Sequence, residues 1–207
     1  MKSRRKLPLA AAALIYVAFV ATSLPAYRAG ANRCITEQQT IRAADVALVT
    51  EFQKRVAGYV ALHRFLEGPL PPLEVSEDPK EIEAAIEALQ EKLRSERAIA
   101  EQGDIFTAEI AELFRRLIRE AFPGNETLRL LSMIREETPK APVRPRVNAS
   151  YPAEASLSMM PPKLLCVFPA LPDELQYRFV DRDLILWDVH ANLIVDVVPN
   201  AILPDLS

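Results

Sequence analysis

The chain has 207 residues, half of them apolar, and a formal charge of −3 from 25 basic and 28 acidic side chains. That is enough for one ordinary domain, or a domain with a small appendage, around a buried core. Five basic residues (Lys2, Arg4, Arg5, Lys6 and Arg28) fall in the first 31, which hold no acid, so the remainder carries 20 basic against 28 acidic groups, a formal −8; a chain of that sign repels nucleic acid and anionic lipid surfaces, which excludes nucleic-acid binding.

Residues 1–31 read as a signal peptide. A basic start from Lys2 to Lys6 precedes an apolar run from Leu7 to Val20, which breaks at Thr22, Ser23 and Pro25, and Ala29-Gly30-Ala31 fits a small-x-small cleavage site. The alternative is an uncleaved inner-membrane anchor over residues 7–24, marginal in length for a bilayer that needs ~20 apolar residues. Either way the rest of the chain is expected outside the cytoplasm, in the periplasm or secreted, with the membrane touched only through this segment. Cys34 and Cys166 are then a candidate disulfide in an oxidising compartment. Two free cysteines, with Cys166 buried beside Leu165 and Val167, are the second reading, and a lipid anchor on Cys34, disfavoured by Ala31-Asn32-Arg33 before it, the third.

The body, residues 32–137, predicts about four amphipathic helices. Over residues 36–66, Val49, Phe52, Val56, Tyr59, His63 and Leu66 share one face, with Thr36 and Gln39 as a capping box and Gly68-Pro69 as the stop. Asp78 caps a second helix with Pro79 at its first position and Glu81 at its third; Ile82, Ile86, Leu89 and Leu93 form its stripe, and Glu83, Glu87, Glu91, Lys92 and Arg94 its water-facing side. Gly103-Asp104 breaks it, Thr107 caps a third helix burying Ile110, Leu113, Phe114, Leu117 and Ile118, and Pro123-Gly124 ends that one. Asn125 is expected to cap a fourth helix packed through Leu128, Leu131 and Ile134. Short connections suggest an antiparallel bundle or an open helical array.

Six prolines between Pro139 and Pro162 make residues 138–163 an extended connector, expected to lie along the helical body. Residues 164–207 form a small β module. Leu175, Tyr177 and Phe179 alternate with Gln176, Arg178 and Val180; a turn over Asp181-Arg182-Asp183 leads to a second strand from Leu184 to Val189; and a turn over His190-Ala191-Asn192 leads to a third from Leu193 to Val198. The expected class is mainly α with a three-stranded antiparallel meander (α+β). So small a sheet needs a covering layer: the helices, the segment 164–168, or a second copy of the chain.

No catalytic constellation emerges. The two histidines, His63 and His190, are read singly: His63 on the apolar seam is a packed core histidine, and His190 an exposed turn residue. Nucleophile elbow, HExxH, CxxC and phosphate-cradling loop are all absent. Asp181, Asp183, Asp188 and Asp196 serve acid chemistry only if they converge in a cleft; turn formation is the simpler reading, with Asp196 beside Ile194 and Val198 and paired across the sheet with Arg178. Asp104-Ile105-Phe106-Thr107 reads as a hydrophobic staple at a helix start. Trp187 either anchors the sheet to the helices or, with Tyr177 and His190, contacts a partner.

Leu171-Pro172, Tyr177-Arg178-Phe179-Val180, Asp183-Leu184-Ile185-Leu186, Asp188 and Ile194-Val195-Asp196-Val197-Val198 together resemble the C-terminal β module of small periplasmic proteins of the nickel/cobalt-homeostasis type. The mature chain as a whole resembles a family of uncharacterised exported bacterial proteins. The first resemblance implies metal handling, which requires at least three ligands around His190. From the residues themselves the expectation is a non-catalytic envelope protein without cofactor. It would act on an unidentified envelope partner or on itself, as a homodimer through the edge of the β tail. Metal homeostasis and a hydrolase built on the tail acids are the alternatives.

Overall fold

In the computed structural model the described residues are 42–70, 78–137, 144–151 and 160–203. The expected signal peptide, the Thr36–Gln39 capping box and Cys34 all lie outside them. So does the Cys34 end of the expected bridge; Cys166, half-buried, caps a short helix with its N–H bonded to the Pro162 carbonyl.

Five helices and three strands are described: α1 Ala43–Glu67, α2 Pro79–Glu96, α3 Ala108–Ala121, α4 Asn125–Glu137, α5 Pro162–Leu165, β1 Leu175–Val180, β2 Asp183–Asp188 and β3 Leu193–Val198. The expected α+β class is correct. No described helix is long and apolar enough to cross a membrane. Helix α2 starts as its sequence dictates: Asp78 Oδ1 accepts from the Lys80 N–H at 3.0 Å and Pro79 takes the first position. Thr107 Oγ1 likewise accepts from the Ile110 N–H at 3.4 Å. Thr107→Ala should cost about 1 kcal/mol, measured by urea unfolding, since the cap is lost but the α3 core stays packed.

Two helical expectations need correction. Asn125 is the first residue of α4 rather than its cap; the donors of that turn go to the Pro123 and Gly124 carbonyls instead. Leu128 is exposed, because α4 is rotated so that Thr127, Leu130, Leu131 and Ile134 face inward. On α2, Arg94 does not simply face water: it bonds the Asn148 carbonyl and Ser150 Oγ.

The sheet is antiparallel in the order β1-β2-β3. One face joins the helices in a single core. Phe52 of α1 stacks with Phe106 at 5.5 Å between ring centroids, lies 5.2 Å from Phe114 of α3, and faces Tyr177 of β1 at 6.4 Å. Leu164 and Phe168 belong to the same core. The helical body and the β module therefore share one interior rather than standing as separate units. The other sheet face carries Val180, Ile185, Ile194 and Val197, covered by Tyr151. Residues 148–151 run along β3, with Asn148 N–H to the Ile194 carbonyl (2.9 Å) and Ile194 N–H to the Ala149 carbonyl (2.8 Å). The described part of the connector thus blunts a sheet edge while also bonding the helical body, through Arg94 and Arg97 to Asn148 and Ser150.

A β-bulge reorients β3. Leu186 pairs with Asp196 while Trp187 pairs with Ile194, which leaves Val195 as the extra residue. Leu193 and Val195 face the helices, Ile194 and Val197 the opposite side, and beyond the bulge Asp196 turns to the helical side. There its carboxylate, fully buried, accepts from the N–H groups of Gly103, Ile105 and Phe106 at 2.7–2.9 Å and from its own neighbour Val197. Asp196 therefore anchors the α2–α3 connection and does not pair with Arg178, which lies 5.6 Å over the Trp187 ring. Gly103 sits at φ +99°, a conformation only glycine adopts without strain, so that its N–H meets the carboxylate. Ile105 and Phe106 are buried as a staple requires, with the added tie to Asp196.

Candidate metal centre

The site grows from two local patterns. On α1, His63 and Glu67 are four residues apart and so share a face at the last helical turn. At the β2–β3 turn, Asp188 ends β2 and its Oδ1 accepts from the N–H groups of His190 (3.0 Å) and Ala191 (2.9 Å), folding the turn back on itself. Asn192 at φ +47° completes the turn, and Gln90 of α2, nearly buried, donates to the carbonyls of Ala191 and Asn192 at 2.9 Å. The turn that carries His190 is thus fixed from inside and from α2.

These two pieces meet. Asp188 Oδ2 accepts from the Tyr59 hydroxyl and from His63 Nδ1–H, both at 2.6 Å. His63 Nε2 then faces Glu67 Oε2 at 3.2 Å, and His190 Nδ1 faces Glu67 Oε1 at 2.9 Å. The two imidazole rings, 5.4 Å apart, are the chain's entire complement of histidine. One ligand atom from each of His63, Glu67 and His190 falls within a 4.8 Å group. His63 and Asp188 are wholly buried, whereas the side chains of Glu67 and His190 are 33% and 36% exposed. The site therefore has a dry back wall and a wet front.

Electrostatics follow from this burial. Desolvation alone lowers the basicity of His63, but the hydrogen bond to Asp188 and the charges of Asp188 and Glu67 outweigh it, leaving its pKa above the usual histidine value. Burial, then the charge of Asp188, push the Tyr59 phenol far above its ordinary range, so it remains a donor. Nearby, Glu174 is buried and accepts from Arg64 Nε; burial raises its pKa, but the Arg64 bond leads the effects that hold it below the usual carboxylate range. Arg97, buried 5.0 Å from the Tyr59 ring centre, bonds the Val195 carbonyl and Asn148 Oδ1; desolvation depresses its pKa.

With Nδ1–H given to Asp188, His63 Nε2 meets the Glu67 carboxylate as an N–H donor in the imidazolium form and presents it a lone pair in the neutral form. Two acceptors face each other only with a cation between them, either a proton or a metal ion. A four-coordinate zinc site with bonds of ~2.0 Å has its ligand atoms ~3.3 Å apart, against 3.2 Å and 2.9 Å from Glu67 to the two imidazoles and at most 4.8 Å across the group. Asp188 behind His63 is the carboxylate–histidine arrangement that orients a metal-binding imidazole.

The other expected site residues take structural roles. Tyr177 is buried, its hydroxyl donating to the Pro169 carbonyl at 3.0 Å, so it is no partner contact. Trp187 lies on the sheet face away from the helices, 5.2 Å from the Tyr151 ring, with Nε1–H bonded to Asn192 Oδ1. It anchors residues 148–151 rather than the helices. The tail acids do not converge: Asp181 lies 3.6 Å from Arg135, Asp183 accepts from the Asn200 N–H, and Asp188 and Asp196 serve the separate networks described above. The sequence assigns no metal ligands, although the metal alternative centres on His190; the signals for the others are the His63-x-x-x-Glu67 spacing and the Asp188-x-His190 pair. Comparison of the chain with protein-family models, curated proteins and solved structures finds no match.

Proposed function

We propose that this is an exported protein that binds one divalent first-row transition-metal ion between the end of α1 and the β2–β3 turn. The observation that carries the reading is the convergence of both histidines on Glu67, with Asp188 orienting His63 from behind. Two imidazoles and a carboxylate, with no thiolate in the group, suit zinc, nickel, cobalt or copper(II) better than calcium or magnesium. Export rests on the basic, apolar leader of residues 1–31 and the acidic remainder, with the periplasm or the extracellular space as destination. Tyr177 and Trp187, two of the three residues considered for a partner contact, are engaged within the fold, while the third, His190, belongs to the metal group, which favours the metal reading.

Calorimetric titration of the full chain with zinc, nickel and copper(II) tests the proposal. One equivalent should bind with Kd below ~10 μM. His63→Ala and His190→Ala should each weaken binding by on the order of 100-fold or more, a larger loss than orienting partners produce. His190 is half-exposed, so its removal leaves the core packed and gives the cleaner comparison. No binding, or binding indifferent to both substitutions, refutes the reading and leaves His63 as an imidazolium ion-paired with Glu67.

A further inference from the structure

The described residues furnish three donors, which leaves the remaining coordination positions to be filled. Among the described residues no fourth histidine, cysteine or acid joins the His63–Glu67–His190 group. Asp188 is unsuited as a fourth ligand, because its two oxygens already accept four hydrogen bonds, two from the turn backbone and two from Tyr59 and His63. Glu174 acts on His63 through its charge but is tied to Arg64. A structural zinc site closes with four protein ligands, whereas a site with three keeps a position for a molecule from outside.

Geometry says where that position lies. His63 forms the buried wall, while Glu67 and His190, each about one-third exposed, form the rim. The uncovered side of the group therefore faces solvent. Its charge is also informative. A divalent ion with two neutral imidazoles and the Glu67 carboxylate keeps a formal +1, offset from behind by the buried Asp188 carboxylate on His63, and a bound ion is the dominant local charge in such a site. Arg64, on the same last turn of α1 and 64% exposed, is ion-paired with the buried carboxylate of Glu174 and so adds no net charge to the site.

Resting on the metal reading above, we propose that the bound ion keeps an open, solvent-facing position that takes an exchangeable external anion of the small oxygen- or nitrogen-donor class, a carboxylate among them. The centre is thereby an open one, suited to presenting a metal ion to a ligand rather than to bracing the fold.

Cobalt(II) makes the position visible. The full chain loaded with one equivalent of cobalt should show visible ligand-field bands, and these should shift reversibly on titration with azide or acetate. Cobalt bound by His63 and His190 with a spectrum unchanged at saturating azide would overturn the open position while sparing the metal site. Absence of cobalt binding would overturn both.

Discussion

Replacing Asp188 with alanine should destabilise the protein by about 3–5 kcal/mol, the cost of removing one partner from a buried charged pair. Asp188 is wholly buried and serves four donors: the Tyr59 hydroxyl, His63 Nδ1–H, and the His190 and Ala191 amides. Removing the carboxylate strands all four at the junction between α1 and the β2–β3 turn, and each buried donor left unpaired costs ~1–3 kcal/mol, partly recovered by relaxation and water entry. Urea unfolding followed by far-ultraviolet circular dichroism measures the loss. Asp188→Asn keeps one acceptor oxygen and should fold well enough to titrate, with metal affinity reduced ~10–100-fold because His63 loses its orienting partner. A loss of less than ~1 kcal/mol for the alanine variant would mean that the network carries little of the structure.

Asp196→Ala should cost a comparable amount, on the order of 3–5 kcal/mol, by stranding the amides of Gly103, Ile105 and Phe106 against a buried surface. The two aspartates differ in what fails first. Asp196 ties the α2–α3 connection to β3, so amide hydrogen exchange at residues 103–106 should accelerate well beyond that in the β2–β3 turn. Phe106 packs on both Phe52 and Phe114, so loosening that connection also loosens the aromatic core. Metal binding by Asp196→Ala should stay near wild type at temperatures where it remains folded, because neither His63, Glu67 nor His190 depends on this carboxylate. Uniform exchange across the sheet would indicate global rather than local opening.

Much of the fold was legible because its signals are local. Strict alternation through Leu175, Tyr177 and Phe179 gave β1 its limits, and Leu193 to Val198 gave those of β3. Asp78-Pro79 marked the start of α2 because the cap and the proline act within one turn. Where several apolar faces compete, tertiary packing decides: α4 carries Leu128, Leu130, Leu131 and Ile134, and only contact with the rest of the core selects which of these face inward. The bulge at Val195 was hidden for a related reason. Alternation assigns Asp196 to the side of Ile194, and one extra residue reverses that assignment. For the candidate site, each histidine taken alone is unremarkable. His63 meets Asp188 across 125 positions of sequence, and His190 meets Glu67 across 123. No periodicity encodes such a pairing; it emerges only when the helices cover the sheet.

X-ray absorption at the zinc edge of the full chain, loaded with one equivalent, examines the coordination sphere itself. Two imidazole groups should be resolved through their outer-shell scattering, together with one or two oxygen donors at ~2.0 Å, and one imidazole should vanish in His190→Ala. A shell of oxygen donors alone, or zinc that washes out before measurement, would contradict the assignment of His63, Glu67 and His190 as a metal site.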